Sequence, residues 1–232
     1  LFGAGIVVAT HDVLIQHLAI RVGDRVAGPR PNARDGVTIH GKEQAAYNIV
    51  LDHLSVAWAL DENVSTYGDN VHDVTFSNSI FSEGLYHSIH PDGPHSMGML
   101  IGEGSARISV HHCLFAHNND RNPRQKAGTS LEFINNLVYN WGGRSGAHMA
   151  NPADTDRTHA ETLLNFAGNY YLAGPNSPRT APIFGKPLSD RLRIYVGKNY
   201  GPTRESETKP EWKIAGIPER PSRSTTPAFP LS

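Results

Sequence analysis

One short polar run concentrates groups that could do chemistry: Asn118-Asn119-Asp120-Arg121-Asn122-Pro123-Arg124-Gln125-Lys126. It sets two arginines and a lysine within six residues. The run lies between two stretches, 108–115 and 130–136, in which apolar and polar residues alternate. That alternation marks strands with one buried face. Cations clamped between strands can form a rigid platform. Arginine binds carboxylates through paired hydrogen bonds, so an acidic ligand is the first expectation. The competing reading is a solvated basic loop with no specific role.

Acidic residues elsewhere could complement this run. Asp61 and Glu62 precede a short strand-like segment, Asn63-Val64-Ser65-Thr66. They suit either an exposed turn or a source of oxygen ligands for a hard cation such as calcium, which draws carboxylates and carbonyls from separate chain segments. If extended, the two would alternate in direction. Asp35 ends a loop rich in Gly and Pro, just before the strand Val37-Thr38-Ile39. At that edge it faces either solvent or a groove. The insertion 82–106 carries His87, His90 and His95 with Asp92 and Glu103. Its irregular spacing does not resemble a transition-metal motif. Such histidines line a polar cleft or bond to loop backbone. His111 and His112 are expected on opposite faces of one strand, and Cys113 as a small packed residue.

The elements that must position these groups follow from a repeat. A nine-residue frame recurs at 12–20, 48–56, 73–81, 107–115, 130–138, 163–171 and 193–201, with starts 36, 25, 34, 23, 33 and 30 residues apart. Frame positions two and four are apolar. Position six is His17, His53, Asn78, His112, Asn135, Gly168 and Lys198. Each frame reads as a strand followed by a bend. Stacking them gives an all-β, right-handed parallel β-helix, a solenoid whose rungs pair with their neighbours. Position six is expected to form a polar ladder along the stack. An antiparallel sandwich would need two- to five-residue hairpins, shorter than the spacing here. Insertions then fall on one side and wall a groove.

Length allows one large domain or two small ones. The chain has 232 residues, a net charge of −1 and a pI near 7.0, which gives no bulk attraction to nucleic acid or to an anionic membrane. No apolar run approaches a membrane span. The single cysteine excludes an intramolecular disulfide. The first residue is Leu1 and no signal peptide is visible, so a processed or trimmed chain is expected. Residues 1–200 are expected to form the solenoid. The Pro/Ser-rich tail 201–232 is expected to wrap it or to be partly disordered.

Three segments resemble the pectate lyase superfamily, close to polysaccharide lyase family one. They are Val50-Leu51-Asp52-His53, Asp61-Glu62-Asn63-Val64-Ser65, and the run from His111-His112 to Asn122-Pro123-Arg124. The last is the most specific, with Arg121 nine residues after His112. Asn135-Asn136-Leu137-Val138-Tyr139 continues the match, and the resemblance covers about residues 10–200. It implies that Arg121 is the catalytic arginine, removing the C5 proton of a galacturonate. Arg124 and Lys126 match basic residues that hold the substrate carboxylate, and His95 joins the substrate-binding set. Asp35 and Glu62 match calcium-binding acids. The family's second acid is Thr66 here, with Asp61 the candidate to replace it. The family's carboxylate-gripping lysine is Met97.

The implied reaction is β-elimination on polygalacturonate or pectin, with calcium and cationic side chains stabilising charge that develops on the carboxylate. Arginine is a difficult base because it is normally always protonated, so an alkaline optimum is expected. A secreted or periplasmic monomer follows, with an acidic plant polysaccharide as partner and neither nucleic acid nor membrane. Two alternatives stand beside it. A polygalacturonase-type hydrolase requires paired carboxylates around the scissile bond and yields no double bond. A non-catalytic polysaccharide-binding β-helix would survive Arg121→Ala without loss of function.

Overall fold

The computed structural model describes residues 3–28, 30–143, 145–149, 157–185, 188–217 and 223–231. The chain winds as a parallel β-helix, one short strand in each of three sheets per coil. The first sheet holds eight strands in chain order: Ile6–Val8, Val37–His40, Glu62–Tyr67, Met97–Ile101, Arg124–Gln125, Ala147–Met149, Ile183–Gly185 and Ala215–Gly216. We call it the site sheet. The second sheet also has eight strands, from Val13–Gln16 to Arg223–Ser224, and the seven nine-residue frames supply all but the last. The third has six, from Ala19–Arg21 to Tyr170–Leu172. Every pairing between these strands is parallel.

The frames stack in register. Val74 pairs with Ile108, Ile108 with Leu131, Leu131 with Leu164 and Leu164 with Ile194. Frame positions two and four therefore form apolar columns inside the solenoid, joined by position nine: Ile20, Val56, Phe81, Phe115, Val138 and Tyr171 are all buried. Aromatic rings climb this core, with centroids 5.2 Å apart for Phe81–Phe115, 5.4 Å for Phe115–Phe133 and 5.9 Å for Phe133–Phe166. Burying these three columns removes much of their apolar surface from water.

The polar ladder lies one position later than expected. Position six is exposed, and its residues take left-handed backbone: φ is 53° at His17, 54° at His53, 47° at Asn78, 55° at His112, 54° at Asn135, 67° at Gly168 and 56° at Lys198. That conformation bends the chain from the second sheet into the third. Asn, His and Gly tolerate it best. The residue after the bend points inward. There Asn136, Asn169 and Asn199 form a buried amide ladder. Asn136 N donates to Asn169 Oδ1 (2.9 Å), and Asn169 N to Asn199 Oδ1 (3.0 Å). The Nδ2 groups cap turn carbonyls of Val110, Phe133 and Phe166. A second left-handed bend follows at Trp58, Glu83, His117 and Asn140, where the chain leaves the third sheet for the site sheet.

The bend also corrects the placing of His111 and His112. Strict alternation fails at a left-handed residue, so the two rings meet, with Nδ1 atoms 2.9 Å apart. Cys113 is buried, its thiol pushed up to about 12 by burial, as a packed, unreactive residue should be. After the strand Leu192–Gly197 the tail adds short strands to two of the sheets. Ala215–Gly216 pairs with the site sheet and Arg223–Ser224 with the second. Ile214 and Ile217 are buried. Asn165 donates to Phe229 O (3.1 Å) and accepts from Ala228 N (2.8 Å).

Candidate active site

The candidate residues gather on the outer side of the site sheet because rungs bring distant segments into line. Thr38 pairs with Ser65, Ser65 with Leu100, Leu100 with Arg124 and Arg124 with His148. Met97 pairs with Glu62 on one side and bridges to Asp120 on the other. Two residues separate Met97 from Leu100, while three separate Asp120 from Arg124. The extra residue makes a bulge, with Arg121 at φ 58° in it. Bulges re-aim side chains. Left-handed backbone at a non-glycine residue costs on the order of 1–3 kcal/mol and collects at functional sites.

Arg121 is aimed at the acids. Its guanidinium is ion-paired to Glu62, and Nη1 lies 3.9 Å from Asp61 Oδ1. Its Nε is buried without a hydrogen-bond partner. Burial, helped by Arg124, lowers Arg121 from 12.5 to about 10, against the pull of Asp61 and Asp35. The contact with Glu62 also favours the charged form and opposes loss of the proton.

Asp35 faces the groove, not solvent. It accepts hydrogen bonds from Ser65 Oγ, from Thr38 Oγ1 (3.0 Å) and from Glu62 N (3.1 Å). Asp61 and Glu62 do not diverge as an extended pair would. Asp61 sits in a turn whose N–H groups point at Arg34 O, and both carboxylates reach one cluster. Asp35, Asp61 and Glu62 each offer an oxygen within 4.8 Å of the others. Burial, then the neighbouring Asp61 charge, push Asp35 up to about 6, against its two hydroxyl donors. Three carboxylates so close, balanced by one guanidinium, leave room for another positive charge. All donors are oxygen, the set a hard cation takes. A calcium ion fits this cluster, with further positions left to water and substrate. These residues line a cleft of about 470 Å³ that also holds Lys126.

The remaining candidates occupy distinct places. Arg124 stands in the outward row between Leu100 and His148. Lys126 lines the cleft but shares its charge with Glu103, Nζ to Oε1 3.1 Å. His95 is buried behind the acids rather than set in the cleft wall, its Nε2 bonded to Asp61 Oδ1 at 2.9 Å. His90 stacks on it with ring centroids 3.8 Å apart, and His90 Nε2 is 4.0 Å from the same oxygen. Asp61, His90 and His95 could be taken for a transition-metal trio. The tautomer argues otherwise: His90 Nδ1 accepts from Asp92 N, which puts the proton on Nε2, the nitrogen a metal would need. His95 braces Asp61 instead, and His90 supports it by stacking on the His95 ring.

Thr66 is inside the solenoid, bonded to Ser105 Oγ (2.8 Å) and Gly102 N (2.9 Å). An acid there would face the core, so Asp61 supplies the third carboxylate from the other side. Met97 is buried, only 8 % exposed, between Glu62 and Asp120. Sequence reasoning missed Ser65 and Thr38 as the clamp on Asp35. It also missed His148, whose Nδ1 lies 2.9 Å from Asp120 Oδ1. Only the rung register signals them.

No protein-family model matches the chain. Curated relatives do. It is 34% identical over 190 residues to a probable pectate lyase C of Aspergillus flavus, covering 82% of this chain and 38% of that protein. The corresponding protein of Aspergillus oryzae is 33% identical over 190 residues, with 82% and 38% covered. That of Emericella nidulans is 30% identical over 189 residues, with 82% and 37% covered. The chain spans about two fifths of the length of these relatives. Its stacked coils and this similarity agree, and the chain belongs to the pectate lyase family.

Proposed function

We propose that this chain is the catalytic solenoid of a calcium-assisted pectate lyase that cleaves an acidic galacturonate polymer by β-elimination. One observation carries the reading: three converging carboxylates line one cleft of a parallel β-helix, and a guanidinium brought down to about 10 is ion-paired to one of them, Glu62. When bound, calcium would neutralise the substrate carboxylate and so acidify the adjacent C5 proton. Asp35, Asp61 and Glu62 would hold it, with Ser65, Thr38 and His95 fixing two of the three. Arg121 takes the C5 proton in its neutral form. Glu62 cannot serve both roles fully: an oxygen given to a cation is withdrawn from Arg121, which then holds its own proton less firmly. Arg124 and Lys126 orient the uronate carboxylate by charge. The C4–O bond breaks as the C4–C5 double bond forms, and the leaving oxygen takes a proton from solvent.

A hydrolase fits less well. Its two carboxylates must stand apart and flank the scissile bond, whereas these three converge, an oxygen of each lying within 4.8 Å of the others. A polymeric substrate places the enzyme outside the cell, and among the described residues no helix is long and apolar enough to cross a membrane. The test is ultraviolet absorbance during incubation with polygalacturonate at alkaline pH. We expect a rise that needs calcium and stops with chelator. New reducing ends without absorbance would replace the lyase with a hydrolase.

A further inference from the structure

A second cleft of about 480 Å³ lies across the loop that carries the histidines. Its lining includes Tyr86, Ser96, His117, Asn119, Asn140 and Asn176, and among the described residues that line it there is no Asp, Glu, Lys or Arg. The contrast with the carboxylate cleft is sharp, and the two are close. Asn119 lies two residues before Arg121, and Ser96 directly precedes Met97, the rung partner of Glu62. Ser96 Oγ accepts from Asn119 N (3.1 Å), tying the two walls together.

Several polar groups here are open to a ligand. Asn140 is committed: its Oδ1 accepts from Asn176 N (2.9 Å) and its Nδ2 donates to His117 Nδ1 (2.9 Å). That fixes the His117 proton on Nε2, an outward donor on an exposed ring. The carboxamides of Asn119 and Asn176 and the hydroxyl of Tyr86 have no protein partner among the described residues, and Tyr86 is 46% exposed. Gly142 keeps this wall open: a Cβ there would meet Asn119 Oδ1 at 2.4 Å. Amides, an N–H donor and a phenol without charge suit sugar hydroxyls. Among the described residues they include no Lys or Arg to form an ion pair with a carboxylate.

We infer that this cleft binds an uncharged sugar unit, so that the enzyme acts on a uronate backbone bearing neutral sugar branches. The inference rests on the lyase reading for its backbone, but the binding itself can be tested without it. The first measurement is NMR titration of the protein with β-1,4-galactobiose and, separately, with digalacturonate. The neutral disaccharide should shift amides around Asn119 and Asn140, and the shifts should weaken at least five-fold in Asn119→Ala and in Tyr86→Ala. No such shifts, or equal shifts with digalacturonate at these residues, would overturn the proposal. The second is the ratio of kcat/KM on branched pectic polymer to that on linear polygalacturonate. It should fall several-fold in both variants, and an unchanged ratio would refute the role of the cleft in branch recognition. Wild-type protein inactive on both polymers but binding galactobiose would defeat the lyase reading while leaving the neutral site standing.

Discussion

The acidity of Arg121 can be read directly from rates. At its ordinary value of 12.5, a guanidinium at pH 8 is neutral about once in 30,000 molecules; at about 10 it is neutral about once in a hundred. Burial and Arg124 thus raise the competent fraction by two to three orders of magnitude, worth about 3 kcal/mol. The side chain is only 18% exposed, so solvent screening takes little of this back. If neutral Arg121 is the base, kcat/KM should climb about tenfold per pH unit from 7 to 9 and flatten near 10. The perturbation is Arg121→Lys. An amine starts lower, near 10.4 in water, and the same burial lowers it further. The rising limb should therefore move to lower pH, with a smaller plateau because lysine falls short of the guanidinium position. The assay is the initial rate of ultraviolet absorbance with saturating calcium, corrected for elimination without enzyme. A wild-type profile flat from pH 7 to 9, or an active lysine variant with an unmoved limb, would refute Arg121 as the base.

Arg121→Ala should cut turnover by 10²–10⁴ while leaving polygalacturonate binding measurable by calorimetry; retained turnover would move the base elsewhere. Asp35 gives a pH test with a definite sign. Its folded value, about 6, lies above the ordinary 3.8, so the stability it brings is full below pH 4 and lost as pH rises through 6, about 3 kcal/mol in all. Calcium should accordingly raise Tm at pH 8 and scarcely at pH 4.5, and Asp35→Asn should erase that difference. Thr66→Asp should cost several kcal/mol in urea unfolding without tightening calcium, because the new charge would sit in the core. Asn169→Ala, which strips bonds from Asn136, Asn199 and Phe133 O, should cost about 3–5 kcal/mol at roughly 1 kcal/mol per bond.

The solenoid was legible because its signal is additive: seven frames repeat the same apolar positions, and the stack pairs them column by column. The bend was hidden by composition. His17, His53 and Lys198 look like ladder members, yet each is there for its backbone angle. The true ladder was masked because Leu18, Leu54, Ser79 and Cys113 fill its early rungs before Asn136 begins the amides. Arg121 and the acids were found through motif resemblance. Their convergence was not, because it depends on which rung lies beside which. Alternation along one strand predicted that Asp61 and Glu62 diverge; the turn at Asp61 cancels that rule. The clamp by Ser65 and Thr38 and the bracing by His95 arise from register and loop path, which spacing in the sequence does not encode.

A coil stack has no inherent length, since each rung is a template for the next. Here the strand Arg223–Ser224 covers part of one such template, pairing with Ile194 and Tyr195 of the strand Leu192–Gly197. Ala228 and Phe229, fastened to Asn165, lie along the same sheet. A protein cut before residue 215 would keep its catalytic groups but present a bare rung at that end. Its failure would appear first as filaments in the electron microscope, not as lost chemistry.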